Sequence, residues 1–418
     1  MNKTSGPKRR AEAAAASPRP CRLRRVFATV TAVESRAGRA GGPYRRADLV
    51  RRALPLARRV RNLLRPLPRL DRFEPRSMLV LPEHETGRAC VPAIDAHAHL
   101  GRWLTPDSSW IAPRVDALLE VMHDCNLEAI VNLDGRWGRE LEDNLDRYDR
   151  AHPGRFFTFC HLDWAELDRP GGTASLVRSL EESARAGARG LKVWKDLGLS
   201  RQVDGRRIRS DDPLLAPVWE AAGALGLPVM VHTADPLAFF HPADRFNERI
   251  DELRRHPSVS QAHLGPAGFR RLLDAFEATV AAHPATTFVG AHVGGYPENL
   301  AWVDALLARY PNVLVDISAR VAELGRQPRG AAALIERHPD RVLFGADLLP
   351  IDAARYRVYF RMLETVDEHF PYSPSDPPEH GRWRVSGLGL PRDLLERVYR
   401  DNARRLLGEP GSTGRVAR

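Results

Sequence analysis

Lysine is nearly absent: Lys3, Lys8, Lys192 and Lys195 are the only four in 418 residues. Arginine carries the positive charge instead, so two lysines in one short stretch invite a chemical reason. Lys can shift its pKa or be carboxylated, whereas Arg stays charged. Cysteine is also scarce. Cys21, Cys90, Cys125 and Cys160 form no C-x-x-C pair and are too few to staple a chain of this size. Reduced, mostly buried thiols in a cytoplasmic protein are the expectation. No apolar run approaches the ~18–20 residues of a helical membrane span, so no membrane partner is expected. Basic surplus is missing from most of the chain as well. Residues 1–77 hold 21 Lys and Arg against 5 Asp and Glu, leaving 42 basic and 48 acidic residues for the rest. The body therefore has no excess charge to grip phosphates, and nucleic acid is not an expected partner.

Residues 1–75 read as a basic leader rich in Arg, Ala, Pro and Gly, without a packed core. Arg24-Arg25-Val26-Phe27 resembles a twin-arginine export signal, but Glu34 and Arg36 interrupt the apolar run behind it. Residues 47–67 space Leu, Val and Ala helically among arginines, as a helix on an anionic membrane surface would. A start assigned too far upstream, or a leader without function, is the favoured account. Residues 76–410 read as one catalytic domain and 411–418 as a tail.

From Ser77 onward, short β-rich runs alternate with amphipathic stretches. Strands are predicted at 91–97, 129–133, 156–161, 190–194, 229–232, 287–292, 313–317 and 342–345. Helices fall between them, at 114–124, 174–186, 213–224, 268–283, 299–310 and 330–338. Eight strands each followed by a helix imply a parallel (β/α)8 TIM barrel. An open doubly wound sheet would want a Gly-rich phosphate turn after an early strand, and there is none.

The densest signal is PAIDAHAHLG at 92–101. Alternation along a strand would put Asp95, His97 and His99 on one face. Two imidazoles two residues apart can share one divalent ion, with Asp95 a ligand or a support. By itself HxH is barely above chance in a chain with 15 His. Other strand ends strengthen it: Lys192 in GLKVWK, His232 in PVMVHTADP, His292 in FVGAHVGG and Asp347 in VLFGADLLP. A barrel places its chemistry at these C-terminal strand ends.

Over residues 75–408, including Asp401-Asn402-Ala403-Arg404-Arg405-Leu406-Leu407, the chain resembles the amidohydrolase superfamily. The likeness is to the amidohydrolase-related branch that includes aminocarboxymuconate-semialdehyde and resorcylate decarboxylases. It implies that His97, His99, His232 and Asp347 bind the metal. Asp347 also handles a proton, and His292 faces substrate as a second catalytic residue. With His232 and Asp347 completing the ligand set, Asp95 becomes a support behind it. The expected cofactor is one divalent ion, zinc in preference to manganese. Lys192 is assigned to substrate binding or to bridging.

Trp194 and Tyr296 are candidates to stack on a substrate ring. Arg320 and Arg326, after strand seven, are candidates to clamp a carboxylate, although pairing with loop carboxylates is as good an account. His161 and Asp163 are left as structural. The long 232–268 segment is expected to form a lid or pocket wall. The favoured function is hydrolysis of a small lactone, ester or amide. The alternative is non-oxidative decarboxylation of an aromatic or muconate-like acid, and a minor one is a non-catalytic protein binding anionic surfaces through its leader. Homo-oligomerisation is left open.

Overall fold

The computed structural model describes residues 75–408, together with Pro55 and Phe73. The twin-arginine-like stretch, the basic 47–67 segment and the tail lie outside the described residues. Eight parallel strands follow one another as expected: β1 Ala93–Ala98, β2 Leu127–Asn132, β3 Phe156–Thr158, β4 Leu191–Val193, β5 Val229–Val231, β6 Phe288–Gly290, β7 Val313–Asp316 and β8 Val342–Leu343. β1, β2 and β3 pair in order, and so do β4 to β8. A parallel bridge from Cys160 to Leu191 joins the two groups. Ala96 N–H donates to Phe344 O at 3.0 Å and Asp347 N–H to His97 O at 2.8 Å, which closes β8 onto β1.

One main helix follows each strand: α1 Val115–Cys125, α2 Gly138–Leu145, α3 Gly172–Ala186, α4 Ala216–Ala224, α5 Gly265–Ala282, α6 Leu300–Arg309, α7 Pro328–Arg337 and α8 Ala353–Glu364. Their apolar stripes pack on the outside of the strands. Leu176 and Leu180 of α3, and Leu334 and Ile335 of α7, are fully buried there. Inside the barrel, Ile94, Val131, Phe159, Met230, Val289 and Leu343 form a separate layer. Ala403 and Leu407 of the closing DNARRLL helix belong to that layer. Asn402 Nδ2 donates to Val342 O at 2.7 Å, fastening the same helix to the start of β8.

Strands β3 to β8 come out shorter than predicted because the last predicted residues leave the ladder to carry polar side chains. At several such exits a non-glycine residue adopts the left-handed region: Arg136 at φ 56°, His292 at 59°, Ala319 at 53° and Asp347 at 53°. Such backbone costs roughly 1–3 kcal/mol per residue and concentrates at functional sites. The 232–268 segment is well packed. Phe239, Phe240 and Leu253 form a small core with Phe269 and Leu272 of α5, which makes it a wall. Among the described residues Cys125 and Cys160 are buried free thiols, while Cys90 is exposed. No helix among them is long and apolar enough to cross a membrane.

Candidate metal centre

Three of the four expected ligands converge. One nitrogen each of His97 and His99 and one oxygen of Asp347 lie within 4.8 Å of one another. His99 Nε2 is 3.4 Å from Asp347 Oδ1, and His292 Nε2 is 3.9 Å from Oδ2. What aims these rings is a set of acceptors on their far nitrogens. His97 Nδ1–H donates to Asp316 Oδ2 at 2.8 Å, and His99 Nδ1–H to Asp134 Oδ1 at 2.7 Å. His292 Nδ1–H donates to Ser318 O at 2.9 Å. Each bond fixes a tautomer whose Nε2 lone pair faces the site, as a metal-binding imidazole requires.

Asp134, Asp316 and Ser318 were not singled out from the sequence, although the signal was there. IVNLDG and VLVDIS end apolar runs in polar residues just as the histidine strands do. Asp316 Oδ1 also accepts from the backbone N–H of His292 at 3.0 Å and from Ser318 Oγ at 2.5 Å. Burial opposes its charge, but His97 and these donors hold its carboxyl well below the usual range. Gly101, the last residue of the motif, leaves room for this arrangement. A Cβ there would lie 2.5 Å from Asp134 Cβ.

His232 stands just outside the close group, its ring 4.6 Å from that of His292 and 5.9 Å from that of Trp194. Its buried Nε2 forms no well-aligned hydrogen bond among the described residues. Asp235 Oδ1 lies 3.3 Å away and is shared with Lys195 Nζ at 3.0 Å. Burial pushes the His232 pKa down to about 4, so the ring is a neutral donor. A neutral imidazole nitrogen beside two oriented imidazoles and a carboxylate fits one divalent cation.

Asp95 is separated from the imidazoles, contrary to strict alternation. The β1–β2 register shifts between Asp95 and Ala98. Its carboxylate accepts from His97 N–H at 2.9 Å, Ala346 N–H at 3.0 Å and Tyr356 Oη at 2.6 Å, so it ties β1 to the β8 exit. Burial raises its pKa to about 7. For Asp347 burial also acts upward, but His97, His99 and Lys192 outweigh it and keep the carboxyl below its ordinary value.

Lys192 is 1% exposed, with Nζ 3.4 Å from His97 Nε2, and burial lowers its pKa to about 8. Trp194 borders the site edge-on to His99, at 5.5 Å between ring centroids. Arg320 is buried, its Nε unpartnered among the described residues, and its charge depresses the His292 pKa further after burial. Tyr296 packs against Phe269 and Trp302 instead of standing among the imidazoles. Arg326 is committed to Glu248, at 2.7 and 3.0 Å. A cavity of about 460 Å³ opens beside Lys192 and Trp194, with His161 and Asp163 in its wall.

The amidohydrolase family model matches residues 94–408. The chain belongs to the amidohydrolase family. No curated protein sequence matches it. Among solved structures, a 2,6-dihydroxybenzoate decarboxylase in complex with 2,6-dihydroxybenzoate is 17% identical, over 76% of this chain and 99% of that one, at a TM-score of 0.50. A dihydroxybenzoic acid decarboxylase from Polaromonas sp. JS666, with manganese and 2-nitroresorcinol, is 18% identical over 76% and 97%, at 0.48. A Burkholderia multivorans amidohydrolase with bound zinc is 18% identical over 76% and 99%, at 0.46. At such identity the likeness to the first of these speaks for the fold alone.

Proposed function

We propose that this amidohydrolase is a metal-dependent hydrolase cleaving a lactone, ester or amide bond of a small molecule. The observation that carries the reading is the Asp347 carboxylate. It lies between His99 Nε2 and His292 Nε2, and its side chain is 22% exposed while both imidazoles are about 2% exposed. It is thus the acidic group of the cluster that water reaches. His97, His99, His232 and Asp347 would hold one divalent ion, zinc being favoured by a nitrogen-rich, four-ligand set. When bound, such an ion polarises a carbonyl and brings the pKa of water towards neutrality.

Asp347 then accepts the proton of the attacking water. His292, whose pKa burial lowers and whose Nδ1–H is engaged by Ser318, has Nε2 free to take that proton from Asp347 and pass it to the leaving group. Lys192, a buried ammonium, offsets negative charge that develops on the carbonyl side. Trp194 screens the site from bulk water.

Decarboxylation of an aromatic acid is the second reading. The buried Lys192 ammonium beside His97 is the observation in its favour, since it offers a counter-charge to the negative charge left on the ring as neutral carbon dioxide departs. The test is turnover by metal-loaded protein on a panel of lactones, esters, amides and aromatic acids in ¹⁸O water. Hydrolysis predicts label in the product acid. Carbon dioxide release without label would overturn it in favour of the lyase. Asp347→Asn should lower kcat about 10²- to 10⁴-fold in either case, the usual worth of a positioned acid–base group.

A further inference from the structure

We propose that Tyr359 is a positioning residue for the reaction, its one hydroxyl coupling the backbone that aims His292 to the backbone that carries Asp347. The inference rests on the proton handover between those two groups proposed above, and it names what holds them in register.

Tyr359 lies on α8, outside the strands, and is buried with Phe344 edge-on to its ring at 5.9 Å. Its Oη accepts from Ala319 N–H at 2.8 Å and donates to Ala346 O at 2.8 Å. Each partner belongs to a peptide whose other end is already engaged. On the β7 side, the Ser318–Ala319 peptide offers Ser318 O to His292 Nδ1–H at 2.9 Å. On the β8 side, the Ala346–Asp347 peptide donates Asp347 N–H to His97 O at 2.8 Å. The four bonds form one directed string, from the His292 ring through Ser318, the Tyr359 hydroxyl and Ala346 to the carbonyl of His97. Every donor in it points the same way, so each bond polarises the next. Burial pushes the Tyr359 pKa up, which keeps the hydroxyl a donor.

Backbone strain makes the hydroxyl necessary. Ala319 and Asp347 both hold left-handed backbone, each at φ 53°, and neither is glycine. Such a conformation persists only where the surrounding structure over-determines it. Without the hydroxyl, Ala319 N–H is left with Ala346 O at 3.3 Å, and closing that gap turns both peptides. Ser318 Oγ lies 3.0 Å from His292 Nδ1, so a displaced carbonyl leaves the ring an acceptor in a different direction. His292 Nε2 and Asp347 Oδ2, now 3.9 Å apart, then lose the reference they share. Phenylalanine at position 359 would fill the same space and make neither bond.

The test compares Tyr359→Phe with Tyr399→Phe in the full-length protein. Tyr399 packs on the same Phe344 but bonds Glu364, away from the string, so it controls for loss of a buried hydroxyl as such. The first readout needs no metal: the His292 Nδ1–H resonance in ¹⁵N-histidine-labelled protein, assigned by its absence in His292→Gln. Tyr359→Phe should shift that resonance and speed its exchange with solvent about tenfold or more, while Tyr399→Phe leaves both unchanged. The second readout is zinc affinity by chelator competition, expected to weaken about tenfold in Tyr359→Phe alone, as for a group that orients a ligand from behind. Should Tyr359→Phe not fold, both readouts are made on it in an Ala319→Gly background, since glycine takes a positive φ without strain. An unmoved resonance in Tyr359→Phe, or equal movement in Tyr399→Phe, would overturn the assignment. Wild-type protein that binds no stoichiometric zinc, with the resonance still dependent on Tyr359, rejects the metal centre and keeps the positioning role. About one zinc per chain with a Tyr359-independent resonance does the reverse.

Discussion

At the β1 and β6 exits, His97, His99 and His292 each have one nitrogen held by a dedicated acceptor and the other turned towards the site. Under the 232–268 wall the polar groups are arranged differently. Arg249, 1% exposed, pairs with Glu252 Oε2 at 2.7 Å and also with Glu323. Glu252 in turn accepts from His380 Nδ1 at 3.2 Å. Here charge is matched with charge, and segments following β5, β7 and β8 are pinned together. Burial works against the Arg249 cation, but the two glutamates raise its pKa above the ordinary arginine value. One cluster spends its hydrogen bonds on aiming atoms, and the other on joining loops. A mutation in the first should therefore show in ligand binding, and one in the second in stability.

The sharpest break comes at the imidazole pair. Replacing His97 and His99 together by Ala should remove about one metal ion per chain and lower kcat/KM roughly 10³-fold or more. Stoichiometric metal by elemental analysis in that variant would refute the ligand assignment. In the other cluster, Glu323→Gln leaves Arg249 with Glu252 alone. The expected cost is about 3 kcal/mol, at the lower end for breaking a buried pair because one partner stays. Chemical denaturation checks it, and the folded fraction should still load metal fully.

The comparison also explains what could be foreseen. His97, His99, His232, His292, Lys192 and Asp347 were legible because each ends an apolar run, and a barrel brings such ends together. All eight strands were legible for the same reason. Asp134 and Asp316 stood at equivalent ends, but an Asp beside a turn reads as a capping residue until the histidine it faces is known. Asp95 was read as a support behind the ligands, but strict alternation put it on their face, since a register shift within β1 cannot be seen in an alternating pattern. The Arg249–Glu323 pair joins residues 74 positions apart, and nothing local announces it. Tyr296 resembled a stacking residue from its place after β6, yet a small aromatic core claims it.

Removing an aiming carboxylate without touching a ligand makes the contrast finer. Asp316→Asn should weaken zinc binding about 10- to 100-fold, the usual effect of losing the partner of a metal-binding imidazole. A competition assay with a chelator reads it. Metal affinity within twofold of wild type would mean that Ser318 Oγ, 3.0 Å from His97 Nδ1, suffices to hold the ring.

The smallest effect tests whether Arg326 belongs to the site at all. Its guanidinium pairs with Glu248 and lies 4.0 Å from the Trp383 ring centroid, all on the side of the loop-joining cluster. Glu248 is exposed, so the ion pair contributes about 0.2–1 kcal/mol, and the partly covered cation–π contact about 0.5–1 kcal/mol more. Arg326→Ala should therefore lower stability by about 1 kcal/mol and leave KM unchanged, because a clamp with its fork already filled has nothing left for substrate. A rise in KM with unaltered Tm would move Arg326 out of the loop-joining cluster and into the substrate pocket.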